Sequence, residues 1–414
     1  MDIKNNQKGE EKMKKVIALV LSLGMVVSLL AGCGSSSGNE TSEPAAAPAA
    51  EEAAAEDAAP AEDAAPAEEA ADAAEATTGD YPDLSDKLVY FIPKVTGNSF
   101  FESANDGSQE FAKDPSWGFT IQYEGSPNAD VTDQITCINN AINAGADAIV
   151  LSSVDATGLD AAMKEAADAG IVVCTWDSDI TTSARQIMVS QGSPKQLGDF
   201  LIEQALFALK AEGKDPEKDE ISYVWHYSNP TVTDQNSWVE SAQATIKEKY
   251  PNWTMASPDY FYSNQDSDQA VSTGEAILEA YPDVDLIMCP DSTAMPGQAQ
   301  AIQNKGLTKA DVCAIGFATP NAVADFIDNG IIDCAGLWDT AIQGGIACYV
   351  GAYLAAGNEL HVGDKLDIPQ IGEVTVVENA EIAEGAETGD VNNGVIFLPE
   401  RTMWTADNVH DYNF

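Results

Sequence analysis

From Lys87 onward, short uniformly apolar runs alternate with longer stretches in which apolar residues recur every third or fourth position. Leu88-Val89-Tyr90-Phe91-Ile92, Ala148-Ile149-Val150-Leu151 and Ile171-Val172-Val173-Cys174 are apolar on both faces of any strand they form, so they predict buried strands. Between them Ile135, Ile138 and Ile142 recur at helical spacing behind Thr132, a candidate N-cap, and Leu159, Ala162, Met163 and Ala166 mark another helical face. The pattern restarts after about residue 181, with helix 194–212, strand 221–226, helix 233–249, helix 267–280, strand 285–289, helix 294–305 and strand 312–317. A further strand is expected over 331–337. Buried strands separated by amphipathic helices predict an α/β fold of parallel sheets covered on both faces. Two doubly wound units in one chain leave a cleft at the carboxyl ends of their strands, where such folds bind ligands.

The first 80 residues follow other rules. Lys14 and Lys15 precede an apolar run from Val16 to Leu30, too short for a comfortable membrane span and typical of an export signal. Residues 1–12 read as an upstream extension before Met13. Leu30-Ala31-Gly32-Cys33 resembles the lipobox of bacterial lipoproteins, which implies a diacylated Cys33 after cleavage and anchoring at the outer face of the cell membrane. Residues 34–80 are Ala, Glu, Asp and Pro with almost nothing larger than Ala to bury, and they contain the near-repeat Ala55–Pro60 and Ala61–Pro66. They predict a disordered acidic tether between the anchor in 1–33 and the fold.

Charge narrows the partners. The chain carries 20 basic and 67 acidic side chains, a formal net charge of −47 that excludes general binding to nucleic-acid backbone. Residues 34–79 hold twelve of the acids and no base, so most of the excess lies on the folded part. Seven cysteines include no CxxC pair, and three isolated histidines make a zinc site an unlikely use of them; apart from Cys33 they read as buried free thiols. No cofactor is expected.

Four polar clusters end predicted strands, where side chains project into the cleft. They are Lys94, then Trp176-Asp177-Ser178-Asp179, then Thr233-Asp234-Gln235-Asn236 at a helix start, then Pro290-Asp291-Ser292. Carboxylates that accept from vicinal hydroxyls, with one Lys and backbone groups beside them, suit a sugar-like polyol. Phe100, Phe101 and Trp338 supply aromatic faces for its C–H side. No Gly-rich phosphate loop, nucleophile elbow or His-containing triad is present, so the chain is not expected to be an enzyme. Asn264, Asp266 and Asp268 alternate like calcium ligands, but the glycine and final Glu of an EF-hand are missing, and a helix start explains them better.

These residues carry a resemblance. From Lys87 to Phe414 the chain resembles the type I periplasmic sugar-binding proteins of ABC importers, most closely their autoinducer-2-binding branch. The resemblance rests on Phe91-Ile92-Pro93-Lys94 with Phe100-Phe101, Thr175-Trp176-Asp177-Ser178-Asp179, Ser228 to Asn236, Pro290-Asp291, Gly336-Leu337-Trp338-Asp339 and Leu398-Pro399-Glu400-Arg401. It implies two lobes joined by a three-segment hinge, with an N-lobe at about 84–180 plus 318–340 and a C-lobe at about 181–317 plus 341–414. It implies ligand contacts at Lys94, Asp177, Asp234, Gln235, Pro290 and Ser292, an ABC permease as membrane partner, and boron-free autoinducer-2, a tetrahydroxyfuran, as ligand. Ser292 departs from the pattern, which has Ala there. A pentose or a deoxyhexose such as rhamnose is the alternative ligand, and a membrane sensor served without transport is the alternative role.

Overall fold

The computed structural model describes residues 81–383, 385–386 and 391–414. The export signal, Cys33 and the tether expected over 1–80 lie outside the described residues. The chain begins with β1 (Leu88–Ile92), α1 (Ser99–Phe111), β2 (Thr120–Tyr123), α2 (Val131–Ala144), β3 (Ala148–Leu151), α3 (Asp160–Asp168), β4 (Val172–Trp176) and β5 (Ile187–Ser190). It continues through α4 (Pro194–Ala211), β6 (Ile221–Tyr227), α5 (Thr233–Lys249), β7 (Trp253–Met255), β8 (Phe261–Tyr262) and α6 (Ser267–Ala280). Next come β9 (Leu286–Cys289), α7 (Ala294–Asn304), β10 (Cys313–Gly316), α8 (Pro320–Asp328) and β11 (Ala335–Leu337). It ends with α9 (Thr340–Ala355), β12 (Lys365–Ile368), β13 (Gly372–Val377), β14 (Gly394–Phe397) and β15 (Thr402–Trp404).

Two sheets organise these elements. The first has the order β12-β13-β14-β5-β4-β3-β1-β2, parallel from β14 to β2 and antiparallel at the β12–β13–β14 edge. The second runs β10-β9-β6-β7 with β8 also beside β6, all parallel. Parallel strands bury both faces, and the apolar runs at β1, β3 and β9 meet that requirement without alternation. Ser193 and Gln196 form a capping box ahead of α4, with Pro194 in the first turn. Asp266 caps α6, accepting from the Gln269 N–H at 2.7 Å, which accounts for the acidic alternation around it.

Three expectations are corrected. Asp130, not Thr132, caps α2, and its carboxylate accepts from the Thr132 N–H at 2.7 Å. The strand expected over 331–337 is only Ala335–Leu337, because the Ile331 and Gly330 N–H groups are taken up by carbonyls at the end of α8. The third concerns the lobes. The expected lobes put 318–340 in the N-lobe and 181–190 and 341–414 in the C-lobe; β5 lies in the first sheet beside β4, and the later segments are mostly exchanged as well. Helix α8 and β11 lie beside α7 and β10 of the second sheet, while α9 packs on α1 and on β1, β3, β4 and β5 of the first. Strand β14 extends the first sheet by pairing with β5, Gly394 opposite Ile187. The cause is burial. Helix α9 is apolar all round and needs a covered position between α1 and a sheet, and β14 finds open hydrogen-bonding groups on the β5 edge. The chain passes between the sheets at 191–193, 338–339 and 398–401.

These passages are tied together by one buried side chain, Gln191. Its amide donates to the Asp177 carbonyl at 3.2 Å, and its side-chain oxygen accepts from Gln343 at 3.2 Å. The Gln191 backbone carbonyl accepts from Arg401 at 2.7 Å. Cysteines 137, 174, 289, 313, 334 and 348 are free and buried, and burial pushes their thiols up, Cys137 to about 11 and Cys174 and Cys313 to about 12.

Helices α1 and α9 approach so closely that glycine is required at their contact. A Cβ on Gly344 would stand 2.1 Å from the Ala104 carbonyl oxygen, a backbone atom that cannot move aside, whereas a Cβ on Gly345 would meet nothing nearer than the Phe111 ring at 3.5 Å. Gly344→Ala should therefore cost about 1–3 kcal/mol by overpacking. Gly345→Ala should be neutral, or stabilising by up to about 1 kcal/mol through helix propensity. Urea titration of both variants checks the contrast, and equal midpoints would refute the packing argument.

Candidate functional site

The carboxyl ends of the parallel strands from both sheets meet around one cavity. Lys94 follows β1, Asp177 follows β4, Asp234 and Gln235 lie in the first turn of α5 after β6, and Pro290 and Ser292 follow β9. Lys94 and Asp177 are fully enclosed, their ammonium and carboxylate 3.0 Å apart. Asp234, from the other sheet, brings an oxygen to 3.9 Å from the same ammonium. Ser152 donates to Asp177 at 2.6 Å, and Ser178 donates to Asp234. Asp234 does not cap α5, which starts after Val232 without a side-chain cap; its carboxylate is turned to Lys94 and Ser178 instead.

Asp177 holds this place through an unusual backbone. Its φ is 58°, in the left-handed region that a non-glycine residue visits at a cost, and its N–H donates to the Val189 carbonyl at 3.2 Å. The turn sends Asp177 toward Lys94, while Asp179 is taken by the Arg185 guanidinium at 2.8 Å and by the Thr175 hydroxyl at 2.6 Å. These two carboxylates face different partners and do not form an acid/base pair.

The cavity is lined by Lys94, Asp177, Gln235, Pro290 and Ser292 together with Phe100, Phe101 and Trp338. Of the expected residues only Asp234 is absent from this wall; it lines a neighbouring cavity with Asp179 and Thr233, and reaches the Lys94 ammonium at 3.9 Å. Phe100 meets Phe101 edge-on at 4.9 Å and Trp338 at 5.8 Å, so the rings form one continuous apolar side. Trp338 is fixed by donating its indole N–H to Gln343 at 2.6 Å. Trp238, Gln265, Phe317 and Leu337 also line the cavity and are not among the contacts expected from the sequence, and neither is Asp291. Asp291 stood inside the Pro290–Ser292 cluster but is committed to the protein. It accepts from the Ala294 N–H at 2.7 Å, from Gln265 at 2.6 Å and from Gln235 at 3.1 Å. Gln265 reaches inward from a turn with φ 59°, for which the sequence offers no periodic signal. Among the described residues no cluster of His, Cys, Asp or Glu could hold a metal ion, and no helix is long and apolar enough to cross a membrane.

Part of the lining is therefore charged and hydrogen-bonding and part is aromatic, chemistry that suits the hydroxyls and the C–H face of a compact polyol. A family model described as a periplasmic binding protein domain matches residues 89–359. The chain belongs to this family. It is the solute-binding protein of a sugar ABC transporter, a family of substrate-binding proteins that work with permeases rather than of enzymes. LsrB from Clostridium saccharobutylicum, solved in complex with AI-2, is 54% identical with a TM-score of 0.78, over 79% of this chain and 100% of that one. A solute-binding protein from Clostridium phytofermentas with bound L-rhamnose is 24% identical over 79% of this chain and 98% of its own, with a TM-score of 0.66, a likeness of fold. The D-ribose/D-allose-binding protein of Pseudomonas aeruginosa is 23% identical over 247 residues, 58% of this chain and 74% of the relative.

The electrostatics of the site are opposed at the two ends of the ion cluster. Burial works against the Lys94 ammonium, but Asp177 and Asp234 outweigh it and raise its pKa above the ordinary lysine value. Burial pushes the Asp234 carboxyl up to about 6, with Lys94 opposing and Asp177 reinforcing the shift. A carboxyl that binds its proton more tightly in the folded protein makes folding take up a proton between the ordinary value of 3.8 and about 6. The stability due to the neutral form is fully present below 3.8 and is lost as the pH rises through about 6. Asp234→Asn should remove that loss, so its melting temperature relative to wild type should rise between about pH 4 and about pH 7 and then level off. Scanning calorimetry across this range checks it; a constant difference would mean that Asp234 is not strained by burial.

Proposed function

We propose that this chain is the extracytoplasmic, lipid-anchored component of an ABC importer and that it captures autoinducer-2 (AI-2) by hinge closure, in the boron-free tetrahydroxyfuran form. The observation that carries the reading is the 54% identity to LsrB, solved with AI-2, over the whole of that chain. Lys94, Asp177, Asp234, Gln235, Pro290 and Ser292 are the proposed ligand contacts, with Phe100, Phe101 and Trp338 against the C–H face. Support comes from the donor and acceptor balance of the cavity. Asp234 Oδ2 is buried and accepts no hydrogen bond from another protein group, which suits it to a ligand hydroxyl. Ser292 adds a hydroxyl where the family pattern has Ala, an extra bond for the ligand or for a bridging water.

The sign of the local charge selects the chemical form. One ammonium stands beside Asp177 and Asp234, with Asp291 on the same wall, and no guanidinium lines the cavity. A borate diester carries a negative charge and would be buried there without a cationic partner of its own, whereas neutral hydroxyls donate to the carboxylates. Calorimetric titration should show AI-2 binding that is no tighter when borate is supplied, with L-rhamnose weaker or silent. Asp177→Ala leaves ligand hydroxyls unpaired and Lys94 with Asp234 alone, and should weaken binding at least about tenfold, or about 1.4 kcal/mol. Borate-dependent affinity would overturn the proposed form, and wild-type affinity in Asp177→Ala would overturn the proposed contacts.

Anchoring rests on Leu30-Ala31-Gly32-Cys33 behind its apolar run. Two acyl chains on Cys33 suffice for stable membrane attachment where one would not. Cys33→Ser should move the protein from the membrane fraction to the soluble fraction with its melting temperature unchanged. Retention on the membrane would refute the lipoprotein reading.

A further inference from the structure

Beside Phe100 and Ser292 of the cavity wall, the cleft is bridged by a side chain that does not itself line the cavity. Asn98 immediately precedes α1, and its carbonyl oxygen accepts from the Phe100 N–H at 2.9 Å, capping the helix that carries Phe100 and Phe101. The other end of the same amide donates to the Thr293 hydroxyl at 2.9 Å, on the opposite sheet's side of the cleft and 195 residues along the chain. Thr293 is itself part of a chain of bonds. Its hydroxyl donates to Gln265 at 3.3 Å, and Gln265 donates to Asp291, the carboxylate that Gln235 also contacts. Beside this contact the Ser99 and Thr319 hydroxyls form a second bridge at 2.9 Å.

An Asn at an N-cap needs only its side-chain oxygen for the cap, and Ser or Asp would serve there as well. The amide nitrogen is free for a second task, and Thr293 is what it reaches. Because Phe100 N–H and Thr293 are held by two ends of one planar group, the angle of the aromatic wall and the meeting of the two helix starts are set together.

We propose that Asn98 is a positioning residue for ligand retention: it clasps Thr293 when the two sides of the cleft meet and, in the same act, seats the Phe100–Phe101 wall. A bond that forms only on closure slows release and leaves capture unchanged. The inference rests on the proposed ligand only for its choice of probe.

The test uses Asn98→Ser, which keeps a capping oxygen but is too short to reach Thr293, together with Thr293→Val and the double variant. Stopped-flow release of AI-2 prepared without borate should be about fivefold faster in each single variant, the effect of one lost hydrogen bond of about 1 kcal/mol. The association rate should stay within about twofold of wild type. The double variant should release no faster than the faster single variant, since both remove the same bond. Unchanged release in the single variants, multiplied effects in the double, or a loss confined to association would each overturn the proposal. A wild type that binds no AI-2 would overturn the ligand reading alone. Spin labels at Asn139→Cys and Ala276→Cys, both exposed and on opposite sides of the cleft, then carry the test without ligand. Each single variant should shift the distance distribution toward longer separations, and the double no further; distributions identical to wild type would overturn the clasp.

Discussion

An ammonium sealed from water must have anionic partners at hand, because the cost of stripping its hydration otherwise exceeds what packing returns. Lys94 satisfies this with one carboxylate from each side of the cleft, Asp177 on its own sheet and Asp234 on the other. Much of the surrounding structure follows from that arrangement. Asp177 can point at Lys94 only by leaving β4 through a left-handed residue, and that turn is held by Val189 and, through Gln191, by all three passages between the sheets. Asp234 can reach only from the first turn of a helix whose start is left without a side-chain cap. The ion cluster is thus a joint as much as a binding surface: separating the two sides would expose the ammonium and take away one of its partners.

How far this was legible in the sequence depended on the kind of signal each element leaves. Helices α5 and α6 were bounded correctly because polar N-terminal residues and apolar spacing agreed there. Strands β2 and β5 left weaker marks. Thr120–Tyr123 is an edge strand whose residues are half exposed, and Ile187–Ser190 follows a 3₁₀ turn that breaks the rhythm of alternation. The allotment of 318–340 and 341–414 went wrong because pattern reports which face is buried, not against which sheet. The residues at strand ends were found because topology directs them inward. Gln265 and Trp238 were not, since one depends on a turn with positive φ and the other looks like any core position of an amphipathic helix.

The aromatic wall shows how packing far from the cavity fixes its shape. Phe100 and Phe101 sit at the start of α1, and α1 is pressed onto α9 where Gly344 has no side chain. Helix α9 begins directly after Trp338, so the third ring of the wall is set by the same helix that positions the first two. Ring contacts of 4.9 and 5.8 Å leave the wall little freedom to shift, so its position is set by the helix pair.

The six buried thiols give the fold a freedom of another kind. Burial raises the pKa of each, Cys137 to about 11 and Cys174 and Cys313 to about 12, and only the thiolate attacks a disulfide or an oxidant at a useful rate. Among the described residues, therefore, no exposed or readily ionised thiol faces the surroundings.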